Sequence, residues 1–235
     1  MRIFVTTGLK VAKLVLFDVD GTLIRSRGAG VMAFGKTFET EFNIKVDTNR
    51  VKFSGRTDPS IVREFFRIYG IDQSIGNFQR FFDTYVFWLD YLLKRSNGEI
   101  LKGVWNFING LRAADVPVVI GILTGNIRLG AEIKLRHFQL WDEFVVGAFG
   151  DDHEDRNTLA KIAQERGSRY LNKQLNGSDI IVVGDTPHDI ACARAIGAKA
   201  LAVASGGAEF DELKAHSPDW LVHTLIEADP ELILT

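Results

Sequence analysis

Eleven residues, Lys13 to Leu23 (K-L-V-L-F-D-V-D-G-T-L), constrain the fold more than any other stretch of the chain. The apolar run from Leu14 to Phe17 stops abruptly at two acids, Asp18 and Asp20, followed by Gly21 and Thr22. A short unbroken apolar run bounded by a turn signal reads as a buried parallel strand. Open α/β sheets place their ligands at the carboxyl ends of strands. Acids there point to a site, against the plainer reading of a charged loop. In extended backbone, residues i and i+2 point to the same side, so Asp18 and Asp20 can face one target. Two anions that close repel: either a cation sits between them or one carries a proton.

The rest of the chain divides in two. From about Arg25 to Gly98 the pattern is helical, with no clear strand. Val31, Phe34, Phe38 and Phe42 mark one face of a helix over Ala29 to Phe42. After the loop from Ser54 to Pro59, Asp58 with Pro59 next reads as an N-cap and first-turn pair. A helix then runs from Ile61 to Tyr69. An aromatic-rich helix follows from Ile75 to Arg95; its rings suit a core more than a ligand box. From Ile100 the rhythm alternates. Helices are expected over 104–114, 127–138, 157–166 and 188–195, and strands over 116–123, 144–148, 180–183 and 200–203, with 220–222 as a short candidate. That alternation calls for an α/β fold, a Rossmann-like parallel sheet with helices on both faces. The expected division is a catalytic core, 1–24 and 99–235, and an inserted all-α cap domain, 25–98.

Composition excludes several classes. The net charge of −2 offers no field to attract nucleic acid. Apolar residues make up 46% of the chain, enough for a real core. No apolar stretch is long enough to span a membrane, and the apolar part of residues 1–10 is too short for a signal peptide. Cys192 is the sole cysteine, so no internal disulfide forms; the expectation is a cytoplasmic protein.

Three expected strands end in polar residues of a definite kind: Asp18 and Asp20; Thr124, Gly125 and Asn126; and Asp185, with Asp189 four residues on. Arg156 opens a helix between the last two. A parallel sheet brings these ends to one edge. Carboxylate and carbonyl oxygens suit Mg²⁺, which shares substrate phosphate oxygens. Thr124 and the Gly125 amide can bond a phosphate, and Arg156 supplies a permanent cationic fork. One carboxylate can attack phosphorus while the second moves the proton.

These residues, D18-V-D-G-T-L, L-T124-G-N, R156 and G-D185-T-P-H-D189, in this order, resemble the four motifs of the haloacid dehalogenase superfamily, over about residues 13 to 204. The resemblance implies that Asp18 is the nucleophile and a Mg²⁺ ligand. It implies that Asp20 is the general acid/base, its backbone carbonyl also meeting the metal. It makes Thr124 and Gly125 phosphate-binding, with Asn126 as a weaker addition. Arg156 stands where lysine is commoner; Lys161 lies one helical turn too late to replace it. Asp185 matches a metal-binding acid, and Asp189 a metal ligand or an acid one step removed. Residues 21–123 separate the first motif from the second, room for a helical cap, whereas 125–155 hold about one helix and one strand. That placement resembles the phosphoglycolate phosphatase and β-phosphoglucomutase group, from which Lys102-Gly103 departs at a turn usually occupied by Pro-Gly. True dehalogenases lack the second acid, so Asp20 favours phosphoryl chemistry.

The expected activity is therefore a Mg²⁺-dependent phosphatase of a small phosphorylated metabolite, phosphoglycolate being the favourite, through an aspartyl-phosphate. The alternatives are a sugar phosphomutase and a non-catalytic binding relative. Arg56, beside Gly55 in a cap loop, is the candidate to reach substrate, against the reading of an exposed arginine. His188 reads as a turn residue, Cys192 as a packing residue, and Asp151 to Asp155 as a solvated loop. His137 and His153 have no partners at metal spacing. The aromatic helix can pack internally or against another chain, which leaves the oligomeric state open.

Overall fold

The computed structural model describes residues 13–235. Residues 1–10, whose apolar part was read as too short for a signal peptide, lie outside them, as do the first twelve residues of the expected core. Strand β1 (Lys13–Phe17) is the middle of the sheet because Leu14, Val15, Leu16 and Phe17 are all fully buried, which only a strand covered on both faces allows. After it come β2 (Ile24–Arg25), β3 (Glu99–Ile100), β4 (Val118–Leu123), β5 (Val146–Ala148), β6 (Ile180–Gly184), β7 (Lys199–Val203) and β8 (Trp220–Val222). Six of these form one all-parallel sheet in the order β5-β4-β1-β6-β7-β8. In register, Val15 lies opposite Ile120 on one side and Ile181 on the other.

The helices are α1 (Ala29–Glu41), α2 (Asp58–Tyr69), α3 (Ile75–Leu93), α4 (Val104–Ala113), α5 (Arg128–His137), α6 (Arg156–Tyr170), α7 (Pro187–Ala195), α8 (Phe210–Ala215) and α9 (Pro230–Leu234). Alternation along β1 separates two core layers. Val15 and Phe17 pack with Phe107 and Leu111 of α4, Leu135 of α5 and Ile233 of α9. Leu14 and Leu16 pack with Leu159 and Ala163 of α6 and Ile190 and Ala193 of α7.

Helices α1 to α3 enclose a third apolar cluster. Phe34 meets Tyr85 at 4.8 Å between ring centroids, and Phe38 meets Phe81 at 4.9 Å. The aromatic face of α3 is thus turned inward, although Phe87 remains 63% exposed. Ile127, the N-cap residue of α5, joins this cluster and Ile133 within α5 packs against it, so the helical insertion packs directly on the sheet domain beside the second motif.

Several details depart from the sequence reading. The antiparallel pair β2–β3, Ile24 opposite Ile100 and Arg25 opposite Glu99, was not expected, because two-residue strands carry no period. It forms a two-stranded neck where the chain enters and leaves the helical insertion. Strand β4 begins at Val118, and Pro117 lies before it, its carbonyl accepting from the Lys13 amide at 2.9 Å. Asp58 is not the cap of its helix. Thr57 takes the N-cap position and Asp58 the first turn, where its carboxylate is buried and accepts instead from the Ile127 amide at 2.9 Å. Helices α8 and α9 were not foreseen; they are too short for periodicity to show.

Candidate active site

The site is assembled by five ends, those of three strands and the starts of two helices. Asp18 follows β1, held by its amide donating to the Val183 carbonyl at 2.9 Å. Thr124 follows β4, its amide donating to Ala148 O at 3.1 Å. Asp185 follows β6, and Asp189 lies in the first turn of α7. There Asp189 accepts from the Thr186 amide at 3.0 Å and the Thr186 hydroxyl at 2.7 Å, a capping box that locks its rotamer. Arg156 is the first residue of α6. Its guanidinium donates to Asp189 Oδ1 and lies 3.7 Å from Asp18 Oδ1.

The turn after β1 depends on Gly21. Its φ is +88°, and a Cβ there would overlap the Asp185 carboxylate. Asp185 is fixed on both oxygens, Oδ1 by the Thr22 hydroxyl at 3.2 Å and Oδ2 by the Gly207 amide. The carboxylates of Asp18, Asp185 and Asp189 each offer one oxygen within 4.8 Å of the others, and all three residues are buried. Burial, opposed by Arg156 and reinforced by Asp189, raises Asp18 from 3.8 to about 7. Burial and the neighbouring Asp18 push Asp185 well above its ordinary value. Three acids beside one guanidinium place more carboxylates than cationic groups in a buried site. Hard oxygen donors in that surplus fit a divalent cation such as Mg²⁺.

Asp20 stands apart from this group. Its carboxylate is directed to Lys134 Nζ at 2.6 Å and Asn126 Nδ2 at 2.9 Å, with the Ser26 hydroxyl at 3.4 Å. The side chains of Asp18 and Asp20 therefore serve different partners, although both residues border one cavity. Asn126 is spent on structure: its amide also donates to Thr124 Oγ1 at 2.9 Å and accepts from Lys134 Nζ at 2.5 Å. Gly125 is needed for close approach, because a Cβ would overlap the Arg56 carbonyl, while the Asp58 amide donates to Gly125 O at 2.7 Å. The cap loop thus lies directly on the second motif.

Arg56 borders the cavity, but its guanidinium is not brought to the acids. It pairs with Glu64 at 2.5 Å and donates to Ser60 O at 3.1 Å and Lys52 O at 3.4 Å, all within the cap segment. Cys192 is buried, its thiol pushed up to about 12 by burial and its Sγ donating to the His188 carbonyl at 3.0 Å. Lys161 is exposed and borders a separate open depression with Gln164 and Lys173, away from the acids.

The cavity between core and cap has a volume of about 520 Å³. Its floor carries Asp18, Asp20, Thr124, Arg156 and Asp185; its roof carries Val31, Phe34, Phe53, Ile61 and Tyr85. Two further charged groups lie here that the sequence reading missed. Asp58 is raised to about 7 by burial, opposed by Lys134. Lys134, on α5, is 5% exposed at its side chain. The available signal was its period: Lys134 shares a helical face with Ile127 and Ala131, where an apolar residue belongs.

A parallel sheet whose central strands end in buried acids beneath a helical cap defines a hydrolase class, and the chain matches the haloacid dehalogenase-like hydrolase family over residues 15–203. The chain belongs to that family. It is 23% identical over 224 residues to PpaX of Clostridium perfringens, provisionally named a pyrophosphatase, with 92% of this chain and 94% of that protein covered. In fold it is similar to CbbY of Rhodobacter sphaeroides solved with phosphate, at a TM-score of 0.74 and 18% identity, covering 92% of this chain and 96% of that one. It is also similar to a predicted phosphoglycolate phosphatase from Haemophilus somnus, at a TM-score of 0.70 and 17% identity, covering 91% and 94%.

Proposed function

We propose that the chain is a Mg²⁺-dependent phosphatase of a small phosphorylated metabolite, acting through an aspartyl-phosphate on Asp18. The observation that carries this reading is the placement of Asp18: buried, beside Arg156, among three clustered carboxylates, and on the floor of a cavity of about 520 Å³. Asp18, Asp185 and Asp189, with the backbone carbonyl of Asp20, would hold the cation. When bound, Mg²⁺ neutralises the acids and the phosphate charge that would otherwise keep Asp18 from its target.

The chain's own groups do the rest. Arg156 holds the Asp18 carboxylate and offers its fork to equatorial phosphate oxygens. The Thr124 hydroxyl accepts from Asn126, and its single proton, which is directed to Asp18, would turn to the same phosphate oxygens once substrate is bound. Asp18 forms a bond to phosphorus as the bond to the leaving oxygen breaks, and Asp20 gives that oxygen its proton. Asp20 then takes a proton from the water that attacks phosphorus, releasing phosphate and restoring Asp18. The apolar roof excludes bulk water while this happens.

The division into a core of 1–24 and 99–235 and a cap of 25–98 is part of this reading, supported by the separate apolar clusters. No helix among the described residues is long and apolar enough to cross a membrane, and a single buried cysteine suits a reducing cytoplasm. Phosphoglycolate heads the candidate substrates because the Haemophilus structure carries that name. The test is turnover of p-nitrophenyl phosphate, then of a panel of phosphorylated metabolites ranked by kcat/KM, with and without Mg²⁺. Metal-dependent turnover is expected; none by the pure protein would defeat the proposal in favour of a non-catalytic relative.

A further inference from the structure

The two oxygens of Asp20 are treated unequally. Oδ2 accepts from Lys134 Nζ at 2.6 Å and from Asn126 Nδ2 at 2.9 Å. Oδ1 has one hydrogen-bond partner among the described residues, the Ser26 hydroxyl at a long 3.4 Å. Lys134 and Asn126 are themselves joined at 2.5 Å, so the three side chains close a ring. A lysine buried on the core face of a helix is costly unless its charge is matched. Here it is matched by an acid that the carboxylate cluster leaves out.

We propose that Lys134 is a positioning residue for the reaction. With Asn126 it pins Oδ2 of Asp20, so that Oδ1 is the oxygen that hands the proton to the leaving group. Two charge-assisted donors on one carboxyl oxygen fix the plane of the group and exclude a proton from that oxygen. The proton passes from Asp20 Oδ1 to the leaving oxygen as its bond to phosphorus breaks and the bond from Asp18 forms. This assignment rests on the proposed phosphatase reading and adds to it a residue outside the four motifs. The competing account is that Lys134 only neutralises buried charge, since it also faces the Asp58 carboxylate of the cap.

The two accounts separate on leaving-group dependence. A leaving group that is a weak base departs without a proton; a stronger base needs one. The probes are p-nitrophenyl phosphate and phenyl phosphate, similar in shape and different in basicity. In Lys134→Met, kcat/KM with phenyl phosphate falls about 100-fold or more, and with p-nitrophenyl phosphate about tenfold less than that. Lys134→Gln, which retains an uncharged donor, recovers part of the phenyl phosphate loss, and it supplies the same ratio if the methionine variant does not fold. Equal losses on both substrates overturn the assignment and leave the phosphatase reading intact. Failure of both variants to fold makes Lys134 a structural residue and also overturns it. No metal-dependent turnover by the unaltered protein overturns the phosphatase reading and this assignment together.

Discussion

Adding Mg²⁺ to metal-free protein should raise its melting temperature, and by more at pH 8 than at pH 6. The cause is the crowding of Asp18, Asp185 and Asp189 within 4.8 Å in a buried site. Folding raises Asp18 from 3.8 to about 7 and raises Asp185 as well. The native state therefore binds these protons more tightly than the unfolded chain does. The stabilisation from bound protons is complete below about pH 4 and is lost as pH rises through about 7. For Asp18 alone, ionisation in the metal-free fold costs about 4 kcal/mol. A cation that replaces the protons restores that loss, and its own binding is strongest where the acids are ionised. At a concentration a hundredfold above its Kd, Mg²⁺ adds about 2.7 kcal/mol, which for a chain of this size is a rise of about 5–10 °C. The assay is differential scanning fluorimetry of EDTA-treated protein across pH, with and without Mg²⁺. An absent shift at pH 8, or a larger one at pH 6, would refute the reasoning from clustered acids.

Other outcomes follow from single contacts. Asp18→Asn should abolish turnover while raising metal-free stability at pH 8, read by activity and melting together; appreciable remaining turnover removes Asp18 as nucleophile. Asp58→Asn keeps an acceptor for the Ile127 amide and removes an acid raised to about 7. By the same sign argument, it should flatten the loss of stability between about pH 4 and 7, seen in urea titrations at several pH values. Gly125→Ala forces the Arg56 carbonyl off the second motif; kcat/KM should fall while circular dichroism stays native, and the loop around Arg56 should become a protease-sensitive site. Phe38→Ala empties a fully buried position in the cap and should cost about 3–5 kcal/mol in chemical denaturation.

The core acids were readable because apolar runs end at them, and a parallel sheet gathers such ends whatever the rest of the chain does. Asp18, Thr124 and Asp185 needed no knowledge of distant packing. Asp58 misled because its partner, the Ile127 amide, is chosen by how the cap docks, while Pro59 supplied a local signal for ordinary capping. Arg56 looked free because Glu64, its partner, sits two helical turns into α2, where an acid on a helix surface is unremarkable in sequence. Lys134 resembled any helix lysine until the sheet fixed which face of α5 was inward. Asp20 was expected to be able to share a target with Asp18; β1 ends at Phe17 and the chain bends at Val19, between the two acids, which ends the extended geometry on which that expectation rested. The strands β2 and β3 were too short to announce themselves.

The neck they form ties geometry to chemistry. Ile24 is bonded back to the turn that carries Asp20, its carbonyl accepting from the Gly21 amide at 2.8 Å and its amide donating to Val19 O at 3.1 Å. Its other edge carries the insertion's return strand at Ile100. Any swing of the three helices would be levered through a fulcrum four residues from Asp20. Were the insertion to move as a lid, the turn that carries Asp20 would be pulled with it through those same two hydrogen bonds.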